Sequence, residues 1–108
     1  MRSGFTDREE ALEKNFQHDK ELSFKIKSRR NHLFGYWVGR EMDLKDSDLE
    51  VYAASFIDFS IKNADDTALI EKTLKDFLGR GVAYTRHQIE KQLRYCQDDA
   101  RQELKPGK

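Results

Sequence analysis

The chain has 108 residues, of which 37% are charged and 37% are hydrophobic, and its 20 basic and 20 acidic residues balance to a formal net charge of zero. This length predicts one domain with a lean core. The charge balance excludes a global field that would attract nucleic acid or an anionic membrane. No apolar run approaches the roughly 20 residues of a membrane span, and the N-terminus lacks the apolar middle of a signal peptide. A single cysteine, Cys96, excludes an internal disulfide and is typical of a reducing compartment, so we expect a cytoplasmic protein.

An all-α fold is expected, because the only proline, Pro106, lies near the C-terminus and apolar residues recur at helical intervals. The first segment, GFTDREEALEKNFQHD at 4–19, carries a narrow stripe of Phe5, Leu12 and Phe16, within about 40° of one another on a helix. Burying these side chains gives roughly 5–9 kcal/mol, whereas ordering about 14 residues costs on the order of 14 kcal/mol. We predict a segment that is mostly unfolded alone and helical in a partner's groove. The pattern equally allows a helix end that packs on its own domain.

The next helix is predicted to begin at Leu22 and to lie centrally, because it is apolar on two sides. One side carries Leu22, Ile26, Leu33 and Trp37, which predicts Trp37 in the core. The opposite side carries Phe24, Phe34 and Val38. Gly35 and Gly39 are four residues apart, and they either let another helix approach closely or only soften the end of this one.

Three further helices follow. Ser47-Asp48-Leu49-Glu50 matches a capping box that opens a second helix at about 48–62. Asp66 is expected to cap a third helix at about 67–78, and Gly79-Arg80-Gly81 is expected to end it. The inward residues are predicted to be Leu49, Tyr52, Ala53, Phe56 and Ser60 in the second helix, and Ile70, Leu74, Phe77 and Leu78 in the third.

The fourth helix has the clearest signals. Thr85-Arg86-His87-Gln88 matches a capping box, and Tyr84 and Ile89 are placed for a hydrophobic staple. Its inward stripe is Ile89, Leu93, Cys96, Ala100 and Leu104. Four helices with short connections predict a small four-helix bundle.

The candidates for chemistry are few. The histidines His18, His32 and His87 are widely spaced, without a second histidine or cysteine three or four residues away, and we interpret them as surface or capping residues. Cys96 on the inward stripe is typical of a small hydrophobic residue. The acidic stretch at 43–50 lacks the glycine and the ligand order of a calcium loop. The pattern therefore indicates neither catalysis nor a metal site.

One basic cluster, KIKSRRNH at 25–32, could contact phosphates. It shares a helix with the apolar stripe, and Arg29 falls among the apolar positions, where an arginine stem commonly covers apolar surface while its guanidinium meets a carboxylate. We favour this structural interpretation. Nucleic-acid binding through Lys25 to Arg30 stays a rival hypothesis. A recognition role for the fourth helix is disfavoured by its carboxylates, which would repel phosphates.

The stretch FTDREEALEKNFQHDKELSFKIKSRRNHLFGYWVG at 5–39 resembles the zeta subunit family of alphaproteobacterial ATP synthases, the ATPase inhibitor subunits. The rest of the chain follows the family's layout more loosely. The order and spacing of the following residues carry the resemblance: Phe5, Asp7-Arg8-Glu9, Phe16, His18-Asp19, Glu21-Leu22, Phe24-Lys25, Arg29-Arg30-Asn31, Leu33, Gly35 and Trp37.

The resemblance implies a four-helix bundle at 20–108 preceded by a mobile N-terminal arm at 1–19 that can become helical. The arm is expected to enter the catalytic head of the synthase between alpha and beta subunits, near the central gamma stalk, and to block rotation in the hydrolysis direction. The inhibitor itself would be no enzyme. The implied partner-binding residues all lie in the arm: Phe5, Asp7, Arg8, Glu9, Leu12, Glu13, Lys14 and Phe16.

The resemblance further implies a protein that is monomeric when free and peripheral to the inner membrane when bound to the synthase, with no membrane insertion and no nucleic-acid partner. It implies no tightly bound cofactor, although weak adenine-nucleotide binding is a family property that we assign to no residue here. The alternative from another class is a helical protein-interaction module, or a homologue without inhibitory activity, whose arm meets a different partner.

Overall fold

The computed structural model describes residues 4–62 and 65–105, with side chains described from residue 20 onward. These described residues form four helices: α1 at Gly4–Glu41, α2 at Asp46–Lys62, α3 at Asp66–Arg80 and α4 at Arg86–Glu103. The described residues form no strand. The all-α four-helix architecture predicted from the sequence is therefore confirmed.

The core lies where α1 packs against α2 and α4, while α3 closes the bundle against α4. As predicted, α1 is the central helix of this arrangement. The predicted stripe of α4 is buried at four of its five positions, and Leu104 is half-buried. Ten buried apolar side chains form the core cluster: Phe34, Val38, Met42, Phe56, Leu69, Ile70, Phe77, Ile89, Leu93 and Cys96.

The two apolar sides predicted for α1 are buried to different extents. Phe34 and Val38 are fully buried, whereas the predicted stripe through Leu33 and Trp37 is only half-buried. Trp37 nevertheless borders the core: its ring centroid lies 5.8 Å from that of Phe34 and 5.2 Å from that of Tyr84.

The two glycines of α1 let α2 approach closely. A Cβ atom at Gly35 would lie 2.9 Å from the Cα atom of Ala53, and one at Gly39 would lie 2.6 Å from Cδ1 of Leu49. Real Cβ atoms essentially never make contacts as short as these. Of the two interpretations of this glycine pair, close helix approach is therefore the correct one.

The helix termini partly match the predicted caps. Thr85 and Gln88 form the predicted capping box, with Gln88 N donating to Thr85 Oγ1 at 3.1 Å and Thr85 N donating to Gln88 Oε1 at 2.9 Å. Gly81 ends α3 in the left-handed region at φ 71°. The N-cap of α3 is Asp65 rather than Asp66, because the side chain of Asp65 accepts from Thr67 N at 3.0 Å.

Two further predictions were wrong. Helix α2 begins at Asp46, so Ser47 lies inside its first turn, and the Glu50 carboxylate accepts from the Tyr36 hydroxyl instead of closing a capping box. Leu78 was expected inward but is 81% exposed. Leu78 directly follows the buried Phe77. Successive side chains on a helix differ in direction by about 100°, so Leu78 points away from the core.

We expect Gly35→Ala to destabilise the bundle although alanine is the better helix former. The added methyl meets backbone atoms of α2 that cannot move independently, and overpacking costs about 1–3 kcal/mol, of which the propensity gain of about 1 kcal/mol offsets only part. Gly79→Ala is the matched control, because a Cβ there meets no atom within 4 Å. Urea unfolding should place the midpoint below wild type for the first variant and at or above it for the second. Equal midpoints would contradict the close approach.

Candidate functional site

The N-terminal arm is continuous with the first helix of the bundle. Helix α1 runs for 38 residues from Gly4 to Glu41, so its backbone is helical on both sides of the predicted boundary between 19 and 20. At 1.5 Å per residue, residues 4–19 extend about 24 Å beyond that boundary. The side chains of the predicted partner-binding residues lie outside the described part of the chain: Phe5, Asp7, Arg8, Glu9, Leu12, Glu13, Lys14 and Phe16.

The stretch of α1 that follows the arm is held by a buried arginine. The side chain of Arg30 is only 5% exposed, and its two terminal nitrogens donate to the Asp66 carboxylate at 2.7 and 3.1 Å. Its Nη1 also donates to Gln97 Oε1 at 3.2 Å, and its Nε donates to Asn31 Oδ1 at 2.9 Å. One guanidinium therefore joins α1 to the first turn of α3 and to α4.

The neighbouring arginine makes a second link, at the surface. Arg29 donates to both carboxylate oxygens of Glu103, at 2.6 and 3.1 Å. This hydrogen bond raises the pKa of Arg29 and lowers the pKa of Glu103. The pair therefore adds to the free energy of unfolding at neutral pH. This contribution is lost as the pH falls from the usual pKa range of glutamate through the lowered pKa of Glu103. The structural interpretation of Arg29 is confirmed.

Together the two arginines form a clamp, Arg29 and Arg30, that fixes the direction in which α1 leaves the bundle. The role of Arg29 was predicted from the sequence, whereas the larger role of Arg30 was not. One sequence signal pointed to this role of Arg30. Arg30, Phe34 and Val38 follow one another at intervals of four residues, so Arg30 lies on the same fully buried face of α1 as the two apolar residues. The other signal was the pair of aspartates at 65 and 66. A helix needs only one N-cap residue, so the second aspartate was available to bind an arginine.

The remaining candidate groups take structural roles. Cys96 is buried in the core, as expected for a small hydrophobic residue, and desolvation is the main reason why its pKa rises to about 11. Its thiol is therefore protonated at neutral pH and a poor nucleophile. Burial likewise raises the pKa of Tyr52, whose hydroxyl donates to Asp76 Oδ2 at 2.7 Å.

The histidines agree with their predicted roles where the structure describes them. The ring of His32 packs on that of Tyr36 at 4.8 Å between centroids, and His87 is exposed in the first turn of α4. The side chain of His18 lies outside the described residues. Within 20–62 and 65–105, no three histidine, cysteine, aspartate or glutamate side chains are grouped so that they could hold a metal ion. None of the helices, over the residues described, is long and apolar enough to cross a membrane.

Comparison with known protein families gives one match, which covers nearly the whole chain. The model of the family described as ATPase inhibitor subunit zeta matches residues 1–103. Comparisons with curated proteins and with solved structures gave no significant match. The matched range includes the arm, the clamp and all four helices.

We expect Asp66→Ala to lower the free energy of unfolding by about 2 kcal/mol, because it removes a charged hydrogen-bond partner from a buried guanidinium. Glu103→Ala removes the carboxylate of the exposed Arg29 pair and should cost less than about 1 kcal/mol. Chemical denaturation of the two variants beside wild type measures both values. A larger loss for Glu103→Ala than for Asp66→Ala would show that burial of Arg30 does not govern the clamp.

Proposed function

Because this chain belongs to the ATPase inhibitor subunit zeta family, we propose that it is a regulatory subunit without enzymatic activity that inhibits ATP hydrolysis by the catalytic head of an ATP synthase. The observation that carries the proposal is the extent of the match, which includes the arm as well as the bundle. The alpha, beta and gamma subunits of the head are the proposed partners. The inhibitor would be peripheral to the membrane when it is bound to the synthase.

The proposed mechanism is insertion of the arm as a helix between alpha and beta subunits, near the gamma stalk, so that rotation in the hydrolysis direction is blocked. The backbone of residues 4–19 is helical and in line with the bundle helix, which is the form that insertion requires. Phe5, Leu12 and Phe16 are the proposed apolar anchors. The proposed polar contacts around them come from the charged residues of the arm: Asp7, Arg8, Glu9, Glu13 and Lys14.

The bundle has a mechanical role in this mechanism. An inserted helix blocks rotation only if its outer end is held, and the clamp holds α1 to α3 and α4 through hydrogen bonds at 2.6–3.2 Å. Arg29 and Arg30 are both paired with carboxylates of this chain, Glu103 and Asp66, which argues against the rival hypothesis that they contact nucleic-acid phosphates. The other rival, a binding module with a different partner or a homologue without inhibition, is decided by the experiment below.

Phe16→Ala should weaken inhibition of ATP hydrolysis by roughly thirtyfold or more, because a central aromatic anchor is worth on the order of 2 kcal/mol and each 1.4 kcal/mol is tenfold. Deletion of residues 2–17 should abolish inhibition. Gln17→Ala, about 100° from the stripe on the helix, is the matched control and should inhibit as wild type does. The measurement is ATP hydrolysis by the cognate catalytic head against inhibitor concentration. Full inhibition by the deletion variant would contradict the proposed mechanism. Absence of inhibition by the wild type would favour a binding module with a different partner or a homologue without inhibitory activity.

In the isolated protein, the amides of residues 1 to about 17 should exchange with solvent within seconds, while those of the bundle are protected. The reason is that three apolar anchors do not offset the entropy of ordering the arm without a partner. Hydrogen exchange of the free protein and of its complex with the head should show protection of the arm in the complex alone. Strong protection at Leu12 and Phe16 in the free protein would mean that the arm packs on its own bundle.

A further inference from the structure

A hollow opens at the end of the bundle that lies far from the arm. It has a volume of about 400 Å³ and lies where the loop between α1 and α2 meets the last turn of α3. Glu41, the last residue of α1, is about 32 Å along the helix axis from residue 20, so the hollow is separate from the arm. Seven residues line it: Met42, Leu44, Tyr52, Lys75, Asp76, Gly79 and Arg80.

The floor of the hollow is apolar. Met42 is only 6% exposed and belongs to the core cluster, while Leu44 and Tyr52 are partly buried against that cluster. The Tyr52 hydroxyl donates to Asp76 Oδ2 at 2.7 Å, so this polar group already has its partner. The volume is within the range of small-molecule pockets, about 300–1,000 Å³, which are mostly apolar with a few polar groups that fix the ligand.

Two cations at the rim are available to such a ligand. The side chains of Lys75 and Arg80 are exposed, and neither makes a hydrogen bond or an ion pair with another residue in the described part of the chain. Among the lining residues, the one carboxylate is that of Asp76, which also accepts from Lys72 Nζ at 2.7 Å. The charge at the rim is therefore positive, and an apolar floor beside two such cations is complementary to an anion with an apolar body.

Gly79, in the wall of the hollow, is a second and independent observation. It lies inside α3, where glycine is a poorer helix former than alanine. The fold does not require glycine at this position: an added Cβ would meet no described atom within 4 Å, and the positive φ angle belongs to Gly81. A glycine also lets a ligand approach the backbone closely, which a side chain in this wall would prevent.

We propose that this hollow is a binding site for a small aliphatic carboxylate. The cations Lys75 and Arg80 hold the carboxylate through charge-assisted hydrogen bonds, and the aliphatic body lies on Met42, Leu44 and Tyr52. Binding there requires neither the arm nor the catalytic head. The site therefore goes beyond the proposed function and is tested with the full chain alone, whatever the outcome of the inhibition experiment.

Octanoate is the probe, and acetate and octanol are its matched controls. Octanoate carries both recognised groups, whereas acetate lacks the apolar body and octanol lacks the charge. Octanoate should raise the melting temperature of the wild type as its concentration increases, and the two controls at equal concentration should raise it clearly less. In NMR spectra, octanoate should shift the amide signals of residues 42–44 and 75–80. Shifts confined to other residues, or no shift at all, would overturn the proposal.

A charge variant tests the rim. Lys75→Gln/Arg80→Gln should raise the Kd of octanoate by tenfold or more. Lys62→Gln/Arg94→Gln is the matched control: it removes two exposed cations that do not line the hollow, with the same change in net charge, and should stay within twofold of wild type. Without ligand, both variants should melt close to wild type, since the replaced side chains are exposed. An equal Kd in the two double variants would overturn the proposal.

Gly79→Leu tests the wall of the hollow without changing its charge. Leucine is the better helix former and its Cβ meets no described atom within 4 Å, so urea unfolding should show a variant at least as stable as wild type. Its side chain occupies space that the ligand needs, and the Kd of octanoate should rise by fivefold or more. An unchanged Kd would overturn the proposal. Displacement of octanoate by an equal concentration of adenosine monophosphate would overturn it in favour of a nucleotide.

Discussion

A guanidinium buried inside a small protein restricts what can lie around it. Arg30 is nearly withdrawn from water, and a buried cation without hydrogen-bond partners would destabilise the fold by several kcal/mol. The first turn of α3 and the middle of α4 therefore have to meet α1 at this position, with Asp66 and Gln97 supplying the acceptors. Hydrophobic contacts tolerate small rotations of a helix, whereas these hydrogen bonds do not. The clamp thus fixes the angle of α1, and with it the direction of the arm.

Some features set by neighbouring residues were predictable from the sequence, although the capping box expected at Ser47 to Glu50 did not form. The capping box at Thr85 and the left-handed glycine at 81 depend on residues within one helical turn, and both were predicted correctly. The same holds for the α4 stripe, whose apolar residues keep a regular spacing. Local signals also misled where two acids are adjacent: Asp65 and Asp66 both fit the pattern of a cap, and in the structure Asp65 caps α3 whereas Asp66 binds Arg30.

Features set by distant residues were not predictable. Arg30 binds Asp66, 36 residues away in the sequence, and Gln97, 67 residues away. The periodicity of a helix predicts contacts only between residues a few positions apart. The site itself was proposed from the resemblance of residues 5–39 rather than from physical pattern, since the stripe of Phe5, Leu12 and Phe16 alone fits a partner's groove and its own bundle equally well.

The continuity of α1 has a consequence for how fast and how cheaply the arm becomes ordered. An isolated peptide has to nucleate its first helical turn, with an equilibrium factor of about 10⁻³, which corresponds to roughly 4 kcal/mol. Here the bundle already holds the helix from residue 20 onward, so the arm only has to propagate it, one residue at a time, toward the N-terminus. Propagation takes on the order of nanoseconds per residue, so ordering of the arm can follow first contact with a partner and would not limit the association rate. In the proposed mechanism, the folded domain would thus serve as a template for the helix of the arm.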